Sequence, residues 1–507
     1  MKPYPILLLL LLLSHPYSWA QTSSPGAADN QASGVPIDTA YTVRNNKAIA
    51  LSKKLDLTDD VLSKDYIQHL SQSIPIATIS DEKEPEKDSS ALLRFHAYLQ
   101  KTFPLAHAVL QKEVVNKYSL LYIWKGQNPK LAPVMFLAHM DVVPVDTGAS
   151  IKWTEPAFSG KRKDGYIWGR GTMDDKVAVI GLMEAVESLI RGGYQPMRDI
   201  YFGFGHDEES AGSGAAAISA LLLDRGLHFR FILDEGGGVI DGSIPYVNRP
   251  VAFIGIAEKG YLTLQLTAND AGGHSSLPVN EGVVGILGKA IYRLQESPFP
   301  TKLTAPVKQM FRELGKNMPG INGFIAMHPG FFSGLIRNEM GAHPITSSLI
   351  QTTQAPTMIE GGVKDNVMPA TARMVINFRI LPGETIQSTM ARVKRVVHDK
   401  RITIDIINDA WNPSKVASTR SKGYKVLKYS IEKTFANTGV VPSLNPGLSD
   451  SRQYAKLSNN ILRFVPLCLK EGDADRIHGT NERILETNYK DCIRFYYHFL
   501  MNADLQL

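Results

Sequence analysis

IYFGFGHDEESAGSG, residues 200–214, joins an apolar run to a row of three carboxylates. The continuous apolar run over 200–204 is typical of a strand that is covered on both faces. Asp207, Glu208 and Glu209 follow directly and repel one another because they carry like charges at short range. They are therefore either a solvated acidic turn or a group that surrounds a bound cation.

Other apolar runs share this arrangement, in which a predicted strand is followed by ionisable groups. They are 134–138 before His139 and Asp141, 229–233 before Asp234, and 461–469 before His478. Apolar residues also recur at helical spacing from Asp175 to Arg191, and two glycines end that helix. Strands that alternate with helices predict an α/β fold, with a mostly parallel sheet and helices on both of its faces.

The pattern changes between about residues 257 and 412. Polar and apolar residues alternate there, as at 261–267 and 373–379, which is typical of a sheet with one solvated face. We therefore expect a smaller α+β domain over 257–412, inserted into a larger domain whose two parts span 45–256 and 413–507.

The N-terminus has the features of a secretory signal peptide over residues 1–20. Lys2 is followed by a short apolar stretch and a small-residue cleavage site. Residues 21–44 are rich in Ser, Gly, Ala and Pro, which is typical of a flexible leader. No other run of about 18 apolar residues occurs. These features predict a protein that is secreted or lies in the secretory lumen, without a transmembrane span. The alternative is an uncleaved anchor, which the short apolar stretch disfavours.

The bulk composition argues against a nucleic-acid partner. The formal net charge is +6 over 507 residues, and the sequence contains no long block of like charges and no nucleic-acid-binding motif. Cys468 and Cys492 are the only cysteines of the sequence. In an oxidising compartment they either form a disulfide or stay as free buried thiols.

The ionisable groups at the predicted strand ends have a common place in such a fold. The carboxyl ends of the strands of an open α/β sheet line one crevice, where ligands bind. A buried histidine, a helix cap or a solvated turn would explain each group alone. A pocket that gathers two histidines and several carboxylates is costly without a cation. Imidazole and carboxylate ligands suit a pair of zinc ions, with cobalt or manganese as substitutes.

The chain resembles the di-zinc aminoacylase and carboxypeptidase family, and within it the carboxypeptidase S branch. The motifs that carry the resemblance are HMDVVP (139–144), GRGTMDDK (169–176), GHDEES (205–210), LDEGG (233–237), GGHSS (272–276) and HGTNE (478–482). The stretches LSDSRQY (448–454) and RIHGTNERI (476–484) favour this branch. The resemblance covers roughly residues 45–500. It implies a fold of the di-zinc exopeptidase type, with the inserted domain as a lid and a dimerisation surface.

The resemblance also implies a role for each matching residue. The implied ligands are His139, Asp174 and Asp234 for one zinc ion and Asp174, Glu209 and His478 for the other, with Asp174 shared. Glu208 would be the general base, Asp141 would orient His139, and Asp207 would be structural. The implied substrate contacts are His274, Asn366, Arg379 and Gly447. Among these, Arg379 would bind the substrate's carboxylate, and His274 would reach the site of a partner subunit in a homodimer.

The function implied by the resemblance is hydrolysis of N-fatty-acyl amino acids to fatty acid and amino acid, with amide formation as the reverse reaction. The apolar stretch 305–350 either lines part of an acyl channel or packs the core of the inserted domain. Two other functions stay open, namely a carboxypeptidase or dipeptidase for small peptides and a catalytically silent binding protein. The presence of Glu208 and of all five implied ligands argues against the silent protein.

Overall fold

The computed structural model of the chain describes residues 65–81, 89–146, 148, 152–242 and 244–507. The predicted signal peptide and leader lie outside these residues, as does the start of the first catalytic part up to residue 64. Within the described ranges, none of the helices is both long enough and apolar enough to cross a membrane.

The helices and strands have the following bounds. The helices are α1 Tyr66–Ser73, α2 Ser89–Thr102, α3 Pro104–Val109, α4 Lys176–Arg191, α5 Ser213–Asp224, α6 Val283–Glu296, α7 Ala305–Gly315, α8 Gly320–Met327, α9 Ser333–Gly341, α10 Pro344–Ser348, α11 Ile386–Val397, α12 Lys422–Thr434 and α13 Glu486–Gln506. The strands are β1 Gln111–Val115, β2 Ser119–Trp124, β3 Val134–His139, β4 Arg162–Lys163, β5 Tyr166–Trp168, β6 Ile200–Gly205, β7 Phe231–Asp234, β8 Gly238–Ile240, β9 Val251–Glu258, β10 Gly260–Asn269, β11 Gly273–His274, β12 Thr353–Gly361, β13 Val367–Met368, β14 Thr371–Ile380, β15 Ile402–Ile406, β16 Gly439–Asn445, β17 Ile461–Arg463, β18 Cys468–Leu469 and β19 Arg483–Leu485.

The larger sheet has the strand order β1-β2-β6-β3-β7-β17-β9-β8-β18, and β16 also pairs with β9. The four central strands β6, β3, β7 and β17 are parallel to their neighbours in this group. Every residue of β2, β3 and β6 is buried, because helices cover both faces of the sheet. Phe136 packs against Phe499 of α13 on one face, whereas Met135 packs in a cluster with residues of α5 on the other. The predicted α/β class, with a mostly parallel sheet, is confirmed.

One predicted strand is wrong in its extent. The run 461–469 forms two short strands, β17 and β18, which lie at different positions in the sheet. Pro466 lies between them, and a proline has no N–H group to donate to a neighbouring strand. The predicted helix over 175–191 agrees with α4, and Asp175 directly precedes its first residue.

A second sheet has the antiparallel order β12-β14-β10-β15. The chain enters it directly from β9, where Glu258 and Gly260 are separated by a single residue. Burial alternates along β14, and its buried side chains pack with α6 and α11 in a separate hydrophobic cluster. The other face of β14 carries Asn377 and Arg379, which places these residues on the side that the helices do not cover.

The apolar stretch 305–350 forms the helices α7 to α10. Its buried residues, among them Val307 and Phe311, pack in one cluster with Val251 of β9 and Val441 of β16. The stretch therefore packs against strands of the larger sheet instead of the core of the second sheet. Phe331 lies outside this packing, with 87% of its surface exposed.

The two cysteines are free thiols. Cys468 lies on β18 and is partly buried, and Cys492 lies in α13 and is fully buried. Of the two alternatives left open by the sequence, the structure therefore shows the unpaired one.

Candidate metal centre

The candidate centre lies at the carboxyl ends of three neighbouring parallel strands. His139 is the last residue of β3, Glu208 and Glu209 follow β6, and Glu235 follows β7. Because these strands are adjacent in the sheet, their ends meet at one edge. Asp174 lies two residues before α4 and reaches the same place.

Two groups of side chains share Asp174. In the first group, His139 Nε2 lies 3.1 Å from Asp174 Oδ1 and 3.8 Å from Glu235 Oε2. In the second group, His478 Nε2 lies 2.9 Å from Asp174 Oδ2 and 3.1 Å from Glu209 Oε1. The candidate ligand atoms of each group lie within 4.8 Å of one another. Each oxygen of Asp174 thus faces a different group, as a bridging carboxylate would.

The first group contains Glu235 in place of Asp234, the ligand that the resemblance implies, so this assignment is corrected. Asp234 points away from the group, and its Oδ2 accepts a hydrogen bond from Ser451 N at 2.6 Å. Successive side chains of an extended chain point in opposite directions, so only one of two adjacent acids can face the crevice. The Asp-Glu pair in the sequence does not reveal which one does.

The acids of the centre are buried close to one another, which changes their pKa values. Burial raises the pKa of Glu208, Glu209 and Glu235 above its usual range, and neighbouring carboxylates raise it further. Hydrogen bonds with Asp174 and Glu209 raise the pKa of His478 to about 10. A divalent cation would relieve this crowding, since imidazole and carboxylate oxygens are the ligands that zinc binds.

The carboxylate of Asp141 contacts residues at the ends of two strands, β3 and β6. Its Oδ1 and Oδ2 accept hydrogen bonds from the backbone N–H groups of Glu208 and Glu209, each at 3.1 Å. Its Oδ1 also lies 3.3 Å from His139 Nδ1, the ring nitrogen that faces away from Asp174. One buried carboxylate therefore orients both the imidazole and the loop that carries the two glutamates.

The three acids of the opening stretch have different surroundings. Asp207 holds the start of α5, because its carboxylate accepts hydrogen bonds from Ser213 N at 2.8 Å and Gly214 N at 2.9 Å. Glu209 belongs to the second group of ligands. Glu208 belongs to neither group, and its Oε1 faces Arg452 Nη1 at 3.5 Å.

A buried ion pair holds the loop that carries His478. Arg170 Nη1 donates to Glu482 Oε2 at 2.6 Å, and Arg170 Nη2 donates to the carbonyl oxygen of His478 at 2.8 Å. Glu482 Oε1 also accepts from the backbone of Gly171 and Met173. Both partners occur in the quoted motifs, but sequence reasoning assigned them no role.

The implied substrate contacts lie in two separate places. Arg379 is half-buried and its guanidinium lies over the ring of Tyr261, 4.8 Å from the ring centroid. Among the described residues no carboxylate pairs with Arg379, and burial and the nearby Arg452 lower its pKa. Gly447 is exposed, and its N–H donates to Asn445 Oδ1 at 3.3 Å.

His274 and Asn366 lie together, away from the two groups. His274 is exposed on β11, where its Nδ1 lies 2.7 Å from Ser276 Oγ. The carbonyl oxygen of Asn366 accepts from Ser275 N at 3.2 Å, next to the pairing of β11 with β13. No described contact joins either residue to the candidate ligands of its own chain.

A cavity of about 470 Å³ lies beside the second sheet, between α6, α10 and β12. Its lining includes Leu294, Phe299 and Ile376. Ile376 and Arg379 are three residues apart on β14, so they face opposite sides of the sheet. The cavity therefore lies on the face that α6 covers and not on the face of Arg379.

Comparison with known proteins agrees with this geometry. A sequence model described as "Peptidase family M20/M25/M40" matches residues 135–502. The N-fatty-acyl-amino acid synthase/hydrolase PM20D1 of Homo sapiens is 38% identical over 437 residues, which are 85% of this chain and 86% of that protein. The probable carboxypeptidase S-like 2 of Dictyostelium discoideum is 36% identical over 470 residues, 88% of this chain and 89% of that protein.

Two solved structures share the fold. The M20 family metallo-carboxypeptidase Sso-CP2 from Sulfolobus solfataricus has a TM-score of 0.65 at 17% identity, with 87% of this chain and 99% of that chain covered. Human carnosine dipeptidase 1 has a TM-score of 0.57 at 16% identity, with 91% of this chain and 100% of that chain covered.

Proposed function

The chain belongs to peptidase family M20/M25/M40 and is a hydrolase, and we propose that it is a secreted di-zinc amidohydrolase of N-fatty-acyl amino acids. The two groups of ligand atoms that share Asp174 are the observation that carries this proposal. The relatives named N-fatty-acyl-amino acid synthase/hydrolase support the substrate class, including amide formation as the reverse reaction. The predicted signal peptide over 1–20 supports secretion.

His139, Asp174 and Glu235 would hold one zinc ion, and Asp174, Glu209 and His478 the other. Glu235 replaces Asp234 in this set because of the geometry described above. Bound cations polarise the amide carbonyl and lower the pKa of the attacking water. Cobalt or manganese would substitute for zinc, since both accept nitrogen and oxygen ligands.

Glu208 would act as the general base. Its carboxylate lies in the crevice between the two groups of ligands and Arg452, and it belongs to neither group. It would take a proton from the attacking water and return it to the nitrogen of the leaving amino acid.

Arg379 would bind the carboxylate of the amino-acid part of the substrate. Its guanidinium is half-buried on the uncovered face of the second sheet and has no carboxylate partner among the described residues. A planar guanidinium forms two parallel hydrogen bonds with a carboxylate. An N-acyl amino acid offers one carboxylate for Arg379 and one amide for the metal centre.

A homodimer through the predicted inserted domain, 257–412, would bring His274 to a substrate. The strand β12 is an edge of its sheet, and its residues from Ala355 to Gly361 are exposed. Met358 and Ile359 on this edge are 56% and 65% exposed. Exposed edges with apolar residues tend to pair with another strand. In such a dimer we expect His274 and Asn366, which contact none of the candidate ligands of their own chain among the described residues, to act in the site of the partner.

The first experiment is hydrolysis of N-oleoyl-phenylalanine by the purified mature protein. The protein is assayed as isolated, after treatment with a chelator, and after zinc is added back. We expect cleavage that the chelator abolishes and zinc restores, because the cations would polarise the amide carbonyl and lower the pKa of the attacking water. Glu208→Gln serves as the matched control, since it should keep the zinc and lose most turnover.

A dipeptide such as Gly-Leu is tested in parallel. Faster cleavage of the dipeptide than of the acyl amino acid would favour the carboxypeptidase or dipeptidase function. The probable carboxypeptidase S-like 2 of Dictyostelium discoideum is a relative whose name points to this function. A zinc-loaded protein that cleaves neither substrate would contradict the proposed activity.

A further inference from the structure

The turn LSDSRQY, residues 448–454, carries Arg452 to the proposed base. Arg452 Nη1 lies 3.5 Å from Glu208 Oε1, and both side chains are 10% exposed. We propose that Arg452 is a positioning residue, which holds the carboxylate of Glu208 in the place where it meets the attacking water. This inference rests on the proposed function, since it requires Glu208 to be the base.

The turn itself is fixed by a buried polar network. Glu258, at the end of β9, pairs with Arg463 Nη2 at 2.8 Å, and both side chains are almost fully buried. Glu258 Oε1 accepts from Ser449 Oγ at 2.8 Å, and Asp234 Oδ2 accepts from Ser451 N at 2.6 Å. The carboxylate that the sequence assigned to a metal thus anchors the residue that precedes Arg452.

The guanidinium of Arg452 has three further neighbours, namely Ser449, Trp411 and Gly212. Its Nη1 donates to the carbonyl oxygen of Ser449 at 2.8 Å, and its plane lies over Trp411, 5.1 Å from the ring centroid. On the third side is Gly212, where an added Cβ would lie 2.6 Å from Arg452 Nη2. Gly212 also has a φ of +65°, which favours glycine. Gly212, four residues after Glu208, therefore leaves room for the guanidinium of Arg452.

Two aromatic rings connect Arg452 to Arg379, the residue that we propose to bind the carboxylate of the substrate. The ring of Trp411 lies 5.9 Å from that of Tyr261, and Tyr261 carries the guanidinium of Arg379. Glu208 and Arg379 are thus connected through Arg452, Trp411 and Tyr261. This contact chain would set the distance between the base and the carboxylate of the substrate.

The expected effect of Arg452 is on the chemical step. A base acts only within hydrogen-bond reach of the proton that it takes, and a displacement of about 1 Å costs about 10²-fold in rate. Arg452→Met removes the ion pair and should lower kcat by about 10–100-fold, with little change in KM or in zinc content. Arg452→Lys keeps the charge and should recover part of the loss.

The experiment combines Arg452→Met with Glu208→Gln in a double-mutant cycle on the zinc-loaded protein. N-oleoyl-phenylalanine is the substrate, or the dipeptide if that is the one cleaved. Because Arg452 acts through Glu208, its substitution should cause no further loss when Glu208 is already Gln. Arg392→Met is the matched control, since Arg392 also lies over an aromatic ring, that of Phe299, beside the second sheet. It should leave kcat unchanged.

Three results would overturn the proposal: an unchanged kcat in Arg452→Met, a loss confined to KM, or a full further loss in the Glu208→Gln background. The second would make Arg452 a substrate-binding residue, and the third would make it act without Glu208.

If Arg452→Met does not fold, Trp411→Leu replaces it and should lower kcat by about 2–5-fold. Normal turnover of the single variant Glu208→Gln would instead refute the proposed base. Failure of the proposed function and failure of the proposed role of Arg452 are therefore distinguishable.

Discussion

At the scale of single residues, the structure places Glu235 beside His139, whereas the resemblance implies the adjacent Asp234. Glu235 Oε2 lies 3.8 Å from His139 Nε2, whereas Asp234 is bonded to the turn at Ser451. We expect Glu235→Gln to lower zinc content from two ions to about one per subunit, because it removes a ligand. Asp234→Asn should keep both ions and lower thermal stability. Metal analysis of the two variants checks this, and loss of zinc only from Asp234→Asn would restore the original assignment.

At the scale of elements, the docking of α2 depends on a neutral histidine. His96 of α2 is buried, and its Nε2 donates to the carbonyl oxygen of Tyr118 beside β2 at 2.8 Å. Burial lowers the pKa of His96 from 6.5 to about 4. Above pH 6.5 the ring is neutral in the folded and the unfolded chain. Between pH 6.5 and about 4 only the unfolded chain binds the proton, so the free energy of unfolding falls as the pH falls.

His96→Gln keeps a donor for the same carbonyl and removes the titration. Denaturant unfolding of the two proteins between pH 7 and pH 4 should show a stability difference that changes by about 3 kcal/mol in favour of the variant at low pH. Parallel pH profiles for the wild type and His96→Gln would show that His96 does not contribute to acid sensitivity.

At the scale of the whole molecule, the metal centre joins distant parts of the chain. The candidate ligands extend from His139 to His478, and they come from strand ends, a helix start and a late loop. A ligand that binds only the folded state stabilises it by about 2.7 kcal/mol at 100 times its Kd. We therefore expect a chelator to lower the Tm and zinc to restore it.

The matched control for this measurement is His478→Ala, which lacks a ligand of the second group. Its Tm should respond less to chelator and zinc than that of the wild type. An equal response of the two proteins in differential scanning fluorimetry would remove His478 from the ligand set.

The proposed dimer also belongs to this scale. If His274 acts in the partner's site, co-expression of His274→Ala with Glu208→Gln should form mixed dimers with one complete site each. Random assembly then restores about a quarter of wild-type activity, because half of the dimers are mixed. Activity no higher than the sum of the two separate variants would show that His274 does not act in a partner's site.

The sequence by itself determined the α/β class, the main strands and helices and the membership of His139, Asp174, Glu209 and His478 in one crevice. These features are local in origin. Apolar runs define buried strands, and polar residues after strand ends identify the edge where ligands bind. The break of the run 461–469 is also local in origin, because Pro466, which lies between β17 and β18, ends the strand pairing.

Only the tertiary structure decided between Asp234 and Glu235, and only it brought Arg452 to Glu208 and joined Arg170 to Glu482. These contacts depend on the direction of a side chain at a strand end, or on two segments that are hundreds of residues apart. Spacing within a motif carries no information about either, because long-range contacts are set by how sheets and helices pack. The local pattern thus locates the site, and the packing of the whole chain selects the atoms that form it.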